Sequence, residues 1–398
     1  MKSISTKALL ATVALSTSTV SANTDMPNID MPSSIKIATF NVSMEALNYI
    51  ERGQKPVGNE LSKQLTSNNQ QIKNIAEIIQ RVNPDILLLN EFDRLDDTGN
   101  DLQTFIKQYL NVSQNGQQAI DYPYVFQGPV NTGLKTPFDI NGDGKITQPQ
   151  DAYGFGHFTG HFAMALLSKY PIDQEQVRTF QTFKWQDMPG ALKPINPNDG
   201  SSYYPEDVWK QLRLSSKSHW DIPVKVENKT INVLASHPTP PVFDGEEDRN
   251  GKRNHDEIRF WVDYLTPKNA DYIYDDKGTR GGKNNNNSFV LMGDLNASNM
   301  DGDAIYSGIG ALLNHIDVFD PMPTSKGGDA HKLDNANSKY HTAYWGMRAD
   351  YVLPSKHGWT IKESGVFWPT KEDSLYRLIE SRAASSDHRL VWVELTLK

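Results

Sequence analysis

The sequence predicts a layered α/β or α+β domain, and three observations predict it. Short apolar runs of strand length recur along the chain, bounded by turn-forming residues. Between several of them lie stretches with apolar residues at helical spacing. A hydrophobic content of 37% over 398 residues supplies a sizeable core, and strands interleaved with helices bury their apolar faces by packing in layers.

Taken in order, the opening MKSISTKALLATVALSTSTVSANTD carries Lys2 and Lys7, an apolar run, then Val20-Ser21-Ala22 with small residues spaced for signal peptidase. The expectation is a signal peptide over 1–22 cut after Ala22, and a secreted or periplasmic protein, because the apolar run is shorter than the ~20 residues of a membrane span. Residues 23–34 are expected to be a disordered lead-in, and 35–398 one domain. IKIATFNVS at 35–43 reads as a strand. The stretch 60–82 places Ile72, Ile75, Ile79 and Val82 on one helical face before Asn83-Pro84 stops it. PDILLLNEF reads as a buried strand, and the type recurs in AMALLSKYPI, TINVLASHP, SFVLMGDLN, RADYVLPS and HRLVWVELTL, with a helix in NHDEIRFWVDYL. From 128 to 223 the pattern weakens into Gly, Pro, Asn and aromatic residues, read as a long insertion within the domain. No later segment is apolar enough to span a membrane, no internal repeat is visible, and a monomer is expected.

The chain has no cysteine. Disulfides, a thiol nucleophile and a cysteine zinc site are therefore excluded, and an exported protein of this kind depends on core packing and bound metal. A formal charge of −8 disfavours tight non-specific binding to a phosphate backbone, which rests on Lys and Arg.

Several of the strands end in the same kinds of residue: Asn41, Glu91, His237, Asp294 with Asn296, and Asp350; the pair Asp387-His388 precedes the last strand. Carboxylates with amide oxygens suit a hard divalent cation, Mg²⁺ or Mn²⁺, which lowers the pKa of bound water and neutralises charge on phosphate oxygens. Singly, each of these residues reads equally as a turn former or a cap; together and in this order they point to one site.

The set ATFNVS, LLLNEF, HFAMALLSKYPI, VLASHPT, FVLMGDLNAS, RADYVLPS and SSDHRLVWVEL resembles the endonuclease/exonuclease/phosphatase superfamily, the deoxyribonuclease I-like fold, with GDLN and the terminal SDH as the most specific pair. The resemblance implies a four-layer α/β sandwich, two mixed β-sheets face to face with helices on both outer faces. It implies Glu91 as principal metal ligand, with Asn41 helping to set metal or phosphate. Asp294 orients or deprotonates the attacking water, Asn296 donates to the phosphoryl group, and Asp350 holds His388 toward the transition state. Asp387 assists metal or water, and His237 sits by the leaving oxygen. Asn90 stands where Gln is commoner, and Ser43 where some relatives have a carboxylate, so single-metal chemistry is expected more than a second tightly held ion.

Two further stretches are candidates for substrate phosphate: RLSSKSHWDIP, with Arg213, Lys217 and His219, and DGEEDRNGKRNHDEIRFW, with Arg253 and His255. The alternative is surface ion pairing with Glu246, Glu247, Asp256 and Glu257. Trp185, Tyr203, Tyr204 and Trp220 either stack on a base or sugar or pack the insertion.

DINGDGKITQPQD carries the first half of a calcium loop: Asp139, Asn141, Asp143, Lys145 through its carbonyl, and Thr147, with Gly144 at the sharp turn. The twelfth position is Gln150 rather than glutamate, Asp151 falls one place late, and no paired second hand is present. The loop is expected to be a Ca²⁺ staple or a turn of the same composition. It leads through His157 and His161, for which packing is expected before substrate contact. Three readings of the whole follow: a metal-dependent phosphoric ester hydrolase of small molecules, an extracellular nuclease acting on nucleic acid, and a non-catalytic calcium-dependent binding protein.

Overall fold

In the two buried strands nearest the candidate glycine-aspartate turn, alternate side chains go to opposite sides. Val290 and Met292 enter one apolar cluster while Phe289 and Leu291 enter another, and Val352 is separated from Tyr351 and Leu353 in the same way. A sheet with both faces buried needs a layer on each side. The computed structural model describes residues 34–95 and 98–398; the expected signal peptide and the lead-in up to residue 33 lie outside them.

The strands are β1 Ile35–Met44, β2 Ile86–Phe92, β3 Tyr124–Phe126, β4 Met164–Ser168, β5 Arg178–Thr179, β6 His219–Val226, β7 Lys229–Ser236, β8 Ser288–Asp294, β9 Asp350–Pro354, β10 Trp359–Val366 and β11 Val391–Leu397. They form one sheet of order β10-β11-β1-β2-β4-β3 and a second of order β5-β6-β7-β8-β9. Both are mixed: β1–β2 and β7–β8 are parallel, the remaining pairs antiparallel. One core contains Ile37 and Leu88 of the first sheet with Val233, Val290 and Val352 of the second, so the sheets face each other. Helix Gln70–Val82 adds Ile72, Ile75 and Ile79 to that cluster, and helix Arg249–Tyr264 covers the outer face of the second sheet with Ile258, Phe260 and Trp261. The expected four-layer sandwich is the observed fold.

The stretch 60–82 forms two helices, Glu60–Thr66 and Gln70–Val82. Asn68 at φ +61° breaks the first, and the Asn69 side chain accepts from the Ile72 amide to start the second. Asn83, left-handed at φ +53°, ends it before Pro84. Residues 128–223 are more than one excursion: β4 and β5 lie within them and β6 begins there.

This topology assembles the site. In each parallel pair the carboxyl ends lie at the same edge, bringing together the ends of β1, β2, β7 and β8. The antiparallel β9 starts where β8 ends, with Asp350 opposite Asp294. The antiparallel β11 pairs Val391 with Thr39, so the residues before it come down beside Asn41. Gly293, at φ +149°, is required here: a Cβ on it would lie 2.0 Å from the Ser236 carbonyl oxygen of the neighbouring strand.

Candidate active site

Asp294 is the hub. Its Oδ2 accepts from Asn41 Nδ2 at 3.1 Å and lies 3.3 Å from His237 Nε2 and 3.5 Å from His388 Nε2. Its Oδ1 accepts the Asn296 amide at 3.0 Å. His388 Nδ1 bonds Asp350 Oδ2 at 2.9 Å, and the Thr342 hydroxyl donates to the same oxygen at 2.7 Å. Ser386 ties this corner together, its hydroxyl donating to the Asn41 carbonyl and accepting the His388 amide. Asp387 is anchored by Ser43 at 3.1 Å and lies 3.6 Å from Arg382. The Asn296 side-chain amide donates to the Pro238 carbonyl at 3.1 Å.

The electrostatics follow from burial and crowding. Burial pushes Asp294 up, but His388 and His237 outweigh it and hold this carboxyl well below the usual range. Burial opposes the charge on His388, yet Asp350 and Asp294 push its imidazole up to about 10, so it is an imidazolium at neutral pH. Asp350, raised chiefly by burial, titrates near 6. Burial lowers His237, with Lys217 adding to the effect.

Glu91 sits at φ +55° and Asn296 at φ +51°. A left-handed conformation in a residue with a side chain costs about 1–3 kcal/mol and is retained where it aims a functional group. The Glu91 carboxylate has no hydrogen-bond or ion-pair partner among the described residues, and burial raises it above the usual carboxylate range. One ligand atom each from Glu91, His237 and Asp294 lies within 4.8 Å of the others, and a second such group is Asp294, Asp350 and His388. An unpartnered carboxylate beside an ionised one and an imidazole is a donor set of the hard-to-borderline type that divalent cations take.

Glu91, His237, Asp294 and His388 form the floor of a cleft of about 1220 Å³, which Asn296, Asp387, Lys217 and Arg253 also line. Arg253 spends Nε and Nη2 on the carbonyls of Leu214, Tyr153 and Arg213. Three of the predicted phosphate binders are held elsewhere. Arg213 donates to Asn131 and stacks over Tyr153. His219 has both ring nitrogens occupied, by Ser215 Oγ and the Glu257 carbonyl, between Phe260 and Trp261. His255 pairs with Asp256 and packs on Gly308. Trp185, Tyr204 and Trp220 are buried, and Tyr203 alone of the four candidate aromatics is a partly exposed residue of the cleft wall.

In the loop, Asp139 accepts the amides of Gly142, Asp143 and Gly144, and Asp143 that of Lys145. Asp151 closes it by accepting from Ile140 and Thr147, while Asn141 and Gln150 reach the rim of the cleft. The loop's carboxylates form no cluster like those on the cleft floor.

The sequence reading missed Glu45 and Arg382. Glu45 is buried, bonded to His161 Nε2 at 3.1 Å and Arg382 Nη2 at 3.1 Å, and pushed up to about 7 by burial. His161 thus buttresses the wall of the cleft. The signal for Glu45 was its place just past the β1 terminus, and for Arg382 its place five residues before Asp387.

The sequence profile described as "Endonuclease/Exonuclease/phosphatase family" matches residues 38–388. The chain belongs to the endonuclease/exonuclease/phosphatase family. Its members hydrolyse phosphoester bonds with metal assistance. Among solved structures, an endonuclease/exonuclease/phosphatase from Beutenbergia cavernae DSM 12333 superposes at TM-score 0.51 and 15% identity, covering 92% of this chain and 72% of that one. At that identity the likeness concerns the fold alone. A family protein from Leptotrichia buccalis C-1013-b gives 0.46 at 16% identity over 91% and 99% of the two chains. The human Nocturnin catalytic domain with bound sulfate gives 0.45 at 12% over 93% and 97%. No curated protein sequence matches the chain.

Proposed function

We propose that this family member is an exported, divalent-metal-dependent hydrolase of small phosphoric esters, acting by in-line attack of water on phosphorus. The observation that carries the reading is Asp294, ringed by Asn41 and two imidazoles and set beside the unpartnered Glu91 carboxylate at the floor of one cleft. Glu91, with Asn41 and Asp387 near it, would hold Mg²⁺ or Mn²⁺. Such an ion supplies charge neutralisation on phosphoryl oxygens and a more acidic water.

The protein's own groups do the rest. Asp294, ionised throughout the working range, is a poor store for a proton and a good acceptor, so it orients the attacking water. His388, charged and fixed by Asp350, presents Nε2 to the equatorial oxygens as charge builds there. Asn296 adds an amide donor. His237, which burial and Lys217 hold toward the neutral imidazole, would sit by the leaving oxygen as a hydrogen-bond partner. The leader up to Ala22 supports export, and a Ca²⁺ on loop Asp139–Asp151 would pin the cleft rim. A melting temperature raised by Ca²⁺ in wild type and not in Asp139→Ala tests the latter.

A nuclease is the second reading, favoured by the exposed rings of Phe155 and Phe243 at the cleft mouth, 55% and 87% accessible, which offer stacking platforms. Purified protein assayed on p-nitrophenyl phosphate, bis-p-nitrophenyl phosphate, plasmid DNA and RNA, with Mg²⁺, Mn²⁺, Ca²⁺ or EDTA, separates them. Metal-dependent turnover of the small esters supports the first reading, DNA cleavage without it the second, and no turnover at all removes both.

A further inference from the structure

Arg382 lines the cleft together with three carboxylates, those of Glu45, Glu91 and Asp387. Its Nη2 donates to Glu45 Oε1 at 3.1 Å, and its Nη1 lies 3.6 Å from Asp387 Oδ2. One planar guanidinium fork therefore spans two acids that reach the cleft from different segments.

Glu45 depends on this cation, because its side chain is only 1% exposed and a buried carboxylate is costly without a counter-charge. Its other oxygen is met by neutral donors, the Leu47 amide at 2.7 Å and His161 Nε2 at 3.1 Å. The His157 amide donates to His161 Nδ1 at 3.3 Å, which leaves Nε2 as the N–H of a neutral ring, and burial holds that ring's pKa down to about 3. Among the described residues Arg382 is thus the only positive charge within ion-pair distance of Glu45 or Asp387.

The guanidinium is held firmly. Burial opposes its charge, but Asp387, Glu91 and Glu45 outweigh that and fix it as a cation. The turn that carries it is anchored from helix Gln70–Val82: Gln71 Nε2 donates to the carbonyls of Val42 and Ser385 at 3.1 and 2.6 Å, and Asn74 Nδ2 to that of Ala384 at 2.8 Å. The second oxygen of Asp387 accepts from the Ser43 hydroxyl at 3.1 Å, so position 43 adds no carboxylate to the group.

Two carboxylates facing one cleft attract a divalent cation unless a resident charge already neutralises them. We propose that Arg382 is a built-in counter-cation: between Glu45 and Asp387 its guanidinium takes the place and the charge of a second metal ion, and so restricts the cleft to one ion at Glu91. The inference rests on the metal-dependent reading above and assigns the residue that sets the number of ions.

The test is calorimetric titration of the full protein with Mn²⁺ alone, which needs no turnover. Wild type is expected to bind one ion, Arg382→Gln two, and Arg382→Lys, which keeps the charge, one. Adding Glu45→Gln to Arg382→Gln should return the count to one, which ties the second ion to Glu45. If Arg382→Gln folds poorly, Glu45→Gln alone decides: with the guanidinium kept and one negative charge removed, Mn²⁺ binding at Glu91 should weaken by about 3-fold or more. One ion with unchanged affinity in Arg382→Gln, two ions in wild type, or unchanged affinity in Glu45→Gln overturns the proposal while leaving the metal-dependent reading intact. A wild type that binds no ion removes that reading and the proposal with it.

Discussion

Asp294, Glu91 and His388 each do something no neighbour can replace. Asp294 is the acceptor on which three side-chain donors and the Asn296 amide converge, Glu91 is the carboxylate left without a partner, and His388 is the charge on the floor. Replacing any one with Ala should lower kcat/KM by at least ~10²-fold, the usual loss for a positioned acid, base or transition-state donor; steady-state kinetics on p-nitrophenyl phosphate measures it. The pH dependence follows from the His388–Asp350 pair. With Asp350 titrating near 6 and His388 near 10, kcat/KM should fall below about pH 6 and again above about pH 10. For stability the sign is set by His388. Its folded pKa is raised above the unfolded value of about 6.5, so its contribution is complete below about 6.5 and disappears as pH rises through about 10. Urea unfolding should therefore separate wild type from His388→Gln at pH 7 and bring them together near pH 10.5. At this scale the site was legible where a polar residue terminates an apolar strand, as at Glu91 and Asp294. Pattern reading failed for His219 and His255, because the partners of an imidazole are set by tertiary packing. Glu45 and Arg382 meet only across 337 residues of chain.

Two elements carry constraints that reach the cleft. Helix Arg249–Tyr264 contributes Glu257, which reads in sequence as one more surface charge and is in fact fully buried, bridging two amides. Glu257→Ala orphans both donors at about 1–3 kcal/mol each, so chemical denaturation should show a loss of about 2–6 kcal/mol. Strand β8 contributes Gly293, and Gly293→Ala should force β7 and β8 apart at the carboxyl ends that floor the cleft, lowering both activity and melting temperature. Most strands were legible because their runs are largely apolar and largely buried, as in β2, β4 and β8. Strand β6 was not: Pro223 stands in its middle, and its start at His219 and Asp221 is polar. The helical stretch 60–82 was read as continuous because apolar periodicity spans the break, whereas the break itself is local capping chemistry at Asn68 and Asn69.

Across the whole molecule, the site exists because two parallel strand pairs, one in each sheet, end at the same edge, and antiparallel neighbours return Asp350 and His388 to it. Sequence patterning shows layers and strand ends. The pairing order that makes those ends converge depends on non-local contacts, and it was legible only through the resemblance carried by motifs such as GDLN and SDH. Among the described residues no helix is long and apolar enough to cross a membrane. If the leader is processed as the sequence suggests, the protein recovered from the exported fraction should begin at Asn23, which N-terminal sequencing determines. The most direct test of the central claim is bis-p-nitrophenyl phosphate and p-nitrophenyl phosphate turnover in saturating Mg²⁺, wild type against Asp294→Asn and Glu91→Gln. The account predicts metal-dependent hydrolysis of at least one ester by wild type, abolished by EDTA and reduced ~10²-fold or more in both variants. Full activity in either variant, or turnover indifferent to EDTA, would contradict it.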